Sequence, residues 1–244
     1  MIWGFHMSFG LRGAFAAAVM LFVAGCASKP AIPFDASQAG QIKTIGILTP
    51  GTPEGPRAIL ATTVGQSFGL IGAMIDAGMQ ESRESDLKAM LNGQNYDASA
   101  TYIADLKSTL EARGYKVVDV PVSRTDQTDF KKSYFEVSAP GVDAYLDTAY
   151  HYGYISAGVI GSAPYRPFVY LGCRLVKASD GAVLMEDRIF YNALNNPKGV
   201  VTLPPDPAYA FPDFADLTSD PKKAAAGIDV AFKASTGAIG QLIQ

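Results

Sequence analysis

Hydrophobic and polar positions alternate in a way that divides this chain into recognisable elements. Ile42 to Leu48 is a short apolar run, closed by Thr49-Pro50-Gly51-Thr52-Pro53, and reads as a first strand ending in a turn. Arg57 to Val64 reads as a second strand. A glycine-rich apolar stretch, Gly65 to Gly78, follows, and the polar residues 80–88 lead into a helix. Between Asp97 and Gly114 the period changes to that of a helix, with Tyr102, Ile103, Leu106 and Leu110 on one face. Asp97 or Ser99 can cap its start, and Gly114 suits the left-handed position beyond its end. Tyr115 to Val122 then reads as a strand.

A run of strands comes next. Val142 to Ile155 alternates, placing Val142, Ala144, Leu146, Thr148, Tyr150, Tyr152 and Tyr154 on one face. Phe168 to Lys177 and Val183 to Asn192 form a hairpin around Ser179-Asp180-Gly181, with Gly181 in the left-handed position of a bulged turn. That register sets Leu175 against Met185, Leu171 against Ile189 and Val169 against Tyr191, and on the opposite face Arg174 against Glu186. The segment 195–220 carries too many prolines for a strand or a helix, and is expected to wrap the surface with its rings in apolar notches. Asp220 caps and Pro221 opens a last helix, whose buried face is Ile228, Ala231, Phe232, Ile239, Leu242 and Ile243. The sum is one α+β domain over 42–244, a mainly antiparallel, mixed sheet with two long helices packed on it.

The first residues have a different pattern. Arg12 is the only charge among the first 28 residues, and an apolar core of about a dozen residues runs from Gly13 to Gly25. That core is too short to span a bilayer as a permanent anchor, which takes roughly 20 residues, and it has the shape of an export signal. It ends in Val23-Ala24-Gly25-Cys26, which resembles the lipobox of bacterial lipoproteins. The resemblance implies removal of residues 1–25, acylation of Cys26 and residence outside the cytoplasmic membrane. Ala27 in place of aspartate implies transfer to the outer membrane, with the domain facing the periplasm. An ordinary signal peptide, or a short buried helix that contains Cys26, is the other reading of these residues. Either Met1 or Met7 can start the chain, because Met7 to Arg12 makes a complete basic n-region. Residues 26–41, rich in Ser, Pro, Ala, Gln and Gly, are expected to be a flexible tether.

Composition narrows the function. Removing 25 of the 244 residues moves the formal charge from −3 to −4, because Arg12 is the one charge lost. A mildly acidic chain without a basic run does not suit nucleic acid. Cys173 is the only thiol left after acylation, so no internal disulfide forms, and a lone cysteine in an apolar strand is most often a small buried hydrophobe. His151 is then the only histidine and no C-x-x-C occurs, which excludes a multi-histidine zinc site. No metal and no cofactor is expected.

Several motifs touch on chemistry. Gly65-Gln66-Ser67-Phe68-Gly69 matches the G-x-S-x-G nucleophile elbow, and Asp143 or Asp147 with His151 could complete a serine esterase in chain order. Too few strands precede Ser67 for that fold, so a glycine-rich bend packed on the sheet is the simpler account. Ser85-Asp86-Leu87-Lys88 matches S-x-x-K without the companion elements of penicillin-interacting enzymes, and reads as a solvated helix turn. No phosphate-binding glycine pattern is present. The stretch 65–78 could suit shallow membrane insertion or a buried helix.

Tyr150, Tyr152 and Tyr154 are the most suggestive binding feature, with Asp143, Asp147 and His151 on the opposite face and Pro164-Tyr165-Arg166-Pro167 nearby in sequence. The stripe is either the wet end of the core, each hydroxyl finding a partner, or a binding surface joined by Arg166 and the loop 204–214. Three functions follow. The leading one is a non-enzymatic, lipid-anchored module that binds an envelope protein partner or itself. The second is a carrier or sensor of a small ligand, and the third the Ser67 esterase. In element order and compartment the domain resembles the TolB amino-terminal and CsgG-type periplasmic domains.

Overall fold

The computed structural model describes residues 30–52, 55–61, 77–157, 163–195 and 197–244. Cys26, Ser67 and nearly all of the 65–78 stretch lie outside the described residues. In chain order the elements are β1 (Thr44–Leu48), β2 (Arg57–Ala61), α1 (Ala77–Gly93), α2 (Ala98–Ala112), β3 (Lys116–Val120), β4 (Ala144–Ala157), β5 (Arg166–Lys177), β6 (Val183–Tyr191), β7 (Val201–Leu203), α3 (Phe214–Ser219) and α4 (Pro221–Leu242). The α+β class is as expected, and the residues from Ala31 onward form one compact unit.

The sheet runs β3-β1-β4-β5-β6-β7, with β2 also on β4. Its centre is antiparallel: β4 pairs with β5, and β5 with β6. The flanking pairs, β1 with β3, β1 and β2 with β4, and β6 with β7, are parallel. The hairpin register is the one the side chains demand, with Leu175 opposite Met185, Leu171 opposite Ile189, Val169 opposite Tyr191 and Arg174 opposite Glu186. Gly181 sits at φ +74° in its turn.

One face of the sheet carries the main core. α2 starts at Asp97, whose carboxylate accepts from the Ala100 N–H at 2.9 Å, and turns Tyr102, Leu106 and Leu110 inward. α4 starts at Asp220, which accepts from the Lys223 N–H at 3.1 Å, and buries Ile228, Ala231, Phe232 and Ile239; Leu242 is only partly covered. α1 contributes Leu87 and Leu91 to the same core. It is a third long helix, growing from the polar 80–88 segment, and its Ser85 and Lys88 face solvent.

The opposite face is covered differently. Between β3 and β4 the chain runs without helix or strand as a strap, whose Val122, Tyr134, Val137, Ala139 and Val142 pack on Leu48, Val120, Tyr145 and Val176. At its middle lies a buried ion pair, Arg124 with Asp147, side chains 2% and 0% exposed. Arg124 also donates to the carbonyls of Thr49 at 2.7 Å and Asp129 at 3.1 Å, while Asp147 accepts from the Lys131 N–H at 2.8 Å and the Tyr134 hydroxyl at 2.7 Å. Burying two charges is tolerable only when their remaining hydrogen-bonding capacity is met, as it is here.

Two expectations need correction. The tether is not free over all of 26–41: Ile32 forms a two-way backbone bridge with Glu186 at 2.7 and 2.9 Å, and Ala36–Gln41 is a short 3-10 helix capped by Asp35. The segment 195–220 is not wholly irregular. Pro204, Pro205, Pro207 and Pro212 only punctuate it, leaving room for β7, a 3-10 turn at Pro207–Tyr209 and α3, which Asp213 caps. Its rings fill notches as anticipated: Phe211 is buried, bridged to Tyr165 and packed edge-on against Tyr154 at 5.5 Å.

Candidate functional site

A break in one strand builds a cleft beside β4. β1 and β2 lie end to end beside β4, both parallel to it. The ladder continues past β1 through a bridge of Gly51 to Ala149, then resumes only at Arg57 opposite Gly153. At Gly153, φ is +144° and an added Cβ would fall 2.0 Å from the Arg57 carbonyl oxygen, so only glycine lets β2 approach β4 there. The Tyr150 N–H still donates to the Gly51 carbonyl at 2.9 Å, but among the described residues His151 and Tyr152 have no strand partner on this side. The cleft opens over them, with a volume of about 370 Å³.

Its floor is Tyr150 and Tyr152; Thr52 and Pro56 form one wall, and Asn92, Tyr96, Asp97 and Ser99 at the α1–α2 junction form another, with Lys88 at the rim. Tyr96 is fixed by donating its hydroxyl to Asp229 on α4 at 2.7 Å. Burial first, and then that carboxylate, pushes the Tyr96 hydroxyl pKa far up, so it stays a neutral donor. Burial, with the nearby charge of Asp97, pushes Tyr152 up to about 12. Burial raises Tyr150 as well. The cleft therefore offers aromatic faces, neutral hydroxyls, one ammonium and one carboxylate. That set can hold a small polar or aromatic group, and its size falls within the range of ordinary ligand pockets.

The tyrosine stripe is divided between two environments. Tyr150 and Tyr154 are 1% and 0% exposed, and Tyr152 is 8% exposed. Their rings pack against α4: Tyr150 lies 5.3 Å and Tyr152 5.4 Å from the Phe232 ring, and Tyr102 lies 4.4 Å from Tyr150. Tyr154 donates to the Ala224 carbonyl at 2.9 Å. The stripe is thus core along its length, not an open surface, because the helices cover this face; only the edges of Tyr150 and Tyr152 reach the cleft. Arg166 is exposed at the start of β5 and does not line this cleft, and Phe211 and Phe214 of the 204–214 loop pack on the core.

The candidate esterase residues are not brought together. Asp147 is committed to Arg124, and it lies four residues along β4 from His151, about 13 Å at strand spacing. Asp143 accepts from the Lys43 and Thr44 N–H groups at 2.9 and 2.8 Å, which lowers its pKa. Burial, and next the Arg57 cation, lowers the pKa of His151. Cys173 is fully buried, which pushes its thiol pKa up and leaves it unreactive. No group of side chains able to hold a metal occurs among the described residues, and no described helix is long and apolar enough to cross a membrane.

Sequence reasoning found the tyrosines but missed Tyr96, Asn92 and Lys88. The one signal that pointed to the cleft was the Thr49–Pro53 turn cluster, which marks where the strand breaks. A second cleft of about 370 Å³ lies at the far end of the strap, lined in part by Gln38, Ala139 and Lys177; its Tyr145 hydroxyl is already engaged by Ala139 and Val137.

Neither a family model nor a curated protein matches the chain. Among solved structures, it is similar to a crystal structure of a Xanthomonas campestris protein of family DUF330, with 15% identity over 82% of this chain and 84% of that one and a TM-score of 0.40. It is also similar to an uncharacterized protein, at 8% identity, 83% and 92% coverage and a TM-score of 0.28. Likeness of this degree carries no functional information.

Proposed function

We propose that this protein is a lipid-anchored, non-enzymatic binding module of the bacterial cell envelope, held to the outer membrane through Cys26 and facing the periplasm. The observation that carries the binding reading is the lapse, among the described residues, of the β4 ladder between its Gly51 and Arg57 contacts, beside which a tyrosine-floored cleft opens. The lipobox at Val23–Cys26 carries the location. A lipid tether confines the cleft to the membrane surface and raises the effective concentration of envelope partners there. The non-enzymatic reading is supported by the commitment of Asp147 to Arg124 and by the burial of the Cys173 thiol.

A small-ligand carrier or sensor is the second reading, and the recession of the two tyrosines favours it, since a flat protein surface does not reach rings so nearly covered. Crosslinking in cells, with a Cys26→Ala control, tests the first reading: a specific envelope protein recovered only with the lipidated chain supports it. Recovery that survives Tyr152→Ala and Lys88→Glu in a folded chain removes the cleft from the interface. Thermal stabilisation by a small molecule, lost in those variants, establishes the carrier instead.

A further inference from the structure

We propose that the domain does not hang freely from its lipid but rests against the phospholipid bilayer through an apolar edge made by Phe135, Ile32 and Val183. This rests on the reading of Cys26 as the lipidated residue.

Among the described residues three large hydrophobic side chains are exposed: Phe135 at 90%, Ile32 at 41% and Val183 at 39%. A single exposed phenylalanine is ordinary on a protein surface. These three are set apart by their company. Val183 precedes Glu186 by three residues on β6, about 10 Å along the strand. Ile32 is bridged to the backbone of the same Glu186. The Glu186 carboxylate pairs with Arg174 at 2.8 Å, and Arg174 donates to the Tyr134 hydroxyl at 3.3 Å, which places Phe135 one residue further on. Leu184 next to Val183, Val137 two residues past Phe135 and Gln38 of the segment that follows Ile32 line one cleft, so the segments that carry the three apolar groups converge on the same end of the strap face.

Phe135 is also held out, not left loose. On one side of it Tyr134 is pinned to Asp147, and on the other the Val137 N–H donates to the Tyr134 carbonyl at 3.0 Å. The strap thus spends a buried charge network on fixing a turn whose tip is an uncovered ring.

The length of chain outside the compact unit identifies the occupant. Five residues lie between Cys26 and Ile32, and the six Cα steps reach at most about 21 Å when fully extended. The edge that carries the three apolar groups is therefore the part of the domain that an acylated Cys26 keeps nearest the bilayer. The adjacent charges are mixed, with Lys131 and Lys132 before Phe135 and Glu136 and Asp129 around it. Contact is driven by apolar insertion and not by anionic headgroups, so uncharged phospholipid suffices and salt has little effect.

The test uses the full, acylated chain. Its one tryptophan, Trp3, lies in the segment that processing removes, so Phe135→Trp makes the only indole of the mature protein. Mass spectrometry first establishes the acyl group on Cys26. On vesicles of phosphatidylcholine, the Phe135→Trp emission is expected to shift to shorter wavelength and to be quenched by brominated acyl chains, and Val183→Trp to follow more weakly. Glu111→Trp, on α2 beside the opposite sheet edge, is expected to stay unquenched. An acylated, vesicle-bound protein with an unquenched indole at 135 overturns the inference and leaves the lipoprotein reading standing. Absence of the acyl group overturns both. Shielding of the indole by added envelope proteins, without quenching by the brominated chains, also overturns it and points to a protein at this edge.

Discussion

The two faces of the sheet are closed by opposite means. On one, helices α1, α2 and α4 bury aliphatic and aromatic side chains, and the tyrosine rings of β4 stack against Phe232. On the other, an irregular strap is fastened by Arg124, Asp147, Tyr134 and the backbone groups they bind. The helical face gains its stability from area removed from water, which needs no direction. The strap face adds to its own smaller apolar cluster a few directional contacts, each of which leaves a stranded charge or donor when its partner is removed. A strap held in this way has a defined shape without regular structure.

The largest effects separate these two modes. Arg124→Ala leaves the Asp147 carboxylate uncompensated at 0% exposure and is expected to destabilise the fold by about 3–5 kcal/mol. Phe232→Ala, which empties the centre of the aromatic cluster, is expected to lose a similar about 3–5 kcal/mol. Denaturant unfolding of each variant measures both losses. The contrast lies in the rescue: Arg124→Met combined with Asp147→Leu removes both charges together and is expected to recover most of the loss. A double variant as unstable as Arg124→Ala would show that the strap depends on the hydrogen bonds of the pair and not on its charge balance.

These modes also differ in how far they can be read from sequence. Periodicity placed α2, α4, the β5–β6 hairpin and its register, because apolar burial leaves a repeat of 3.6 or 2 behind it. Asp97, Asp220 and Gly181 marked caps and turns by residue type alone. The strap left no such trace: Arg124 and Asp147 lie 23 residues apart in polar and apolar surroundings respectively, and nothing local ties them. The tyrosine stripe was legible as a stripe, but its exposure was not. Alternation assigns residues to faces, and only tertiary packing decides that helices cover this one. The cleft was half legible, through the turn cluster that ends β1, while its other wall came from the distant α1–α2 junction.

Gly153 tests the break in the strand on which the cleft depends. Gly153→Ala places a Cβ against the Arg57 carbonyl at a φ that other residues rarely adopt, and is expected to cost about 2–3 kcal/mol. Because β2 must then shift relative to β4, ligand or partner binding at the Tyr150–Tyr152 floor is expected to fall further than stability alone explains. Binding unchanged in a folded Gly153→Ala chain would detach the cleft from the geometry of β2.

A polar probe of the helical face should give the opposite sign. Among the described residues the Tyr102 and Thr148 hydroxyls are buried there with only each other within reach, and neither makes a well-formed hydrogen bond. An unsatisfied buried hydroxyl is a cost that the ring's packing against Tyr150 and Phe232 outweighs. Tyr102→Phe keeps that packing and is expected to be neutral or to stabilise by up to about 1 kcal/mol. A clear loss of thermal stability would show that the hydroxyl does contribute to the fold, and the separation of the two faces into apolar and polar closure would be too simple.

The smallest effect concerns His151, half-buried on the second face. Burial, and then the neighbouring Arg57 cation, depresses its pKa below 6.5 in the folded chain. The unfolded chain therefore takes up a proton as the pH falls through 6.5 while the folded chain does not, so stability declines between 6.5 and the depressed folded value and levels off below it. Asp143, whose pKa is lowered by the Lys43 and Thr44 N–H groups, acts only further into acid, its stabilisation being lost as the pH falls from 3.8 through its folded value. His151→Gln is thus expected to flatten the urea midpoint between about pH 7 and pH 5 while leaving the acid limb unchanged. A slope that persists in His151→Gln would assign this pH dependence to another group, and would mean that the ring is less shielded from water than its burial implies.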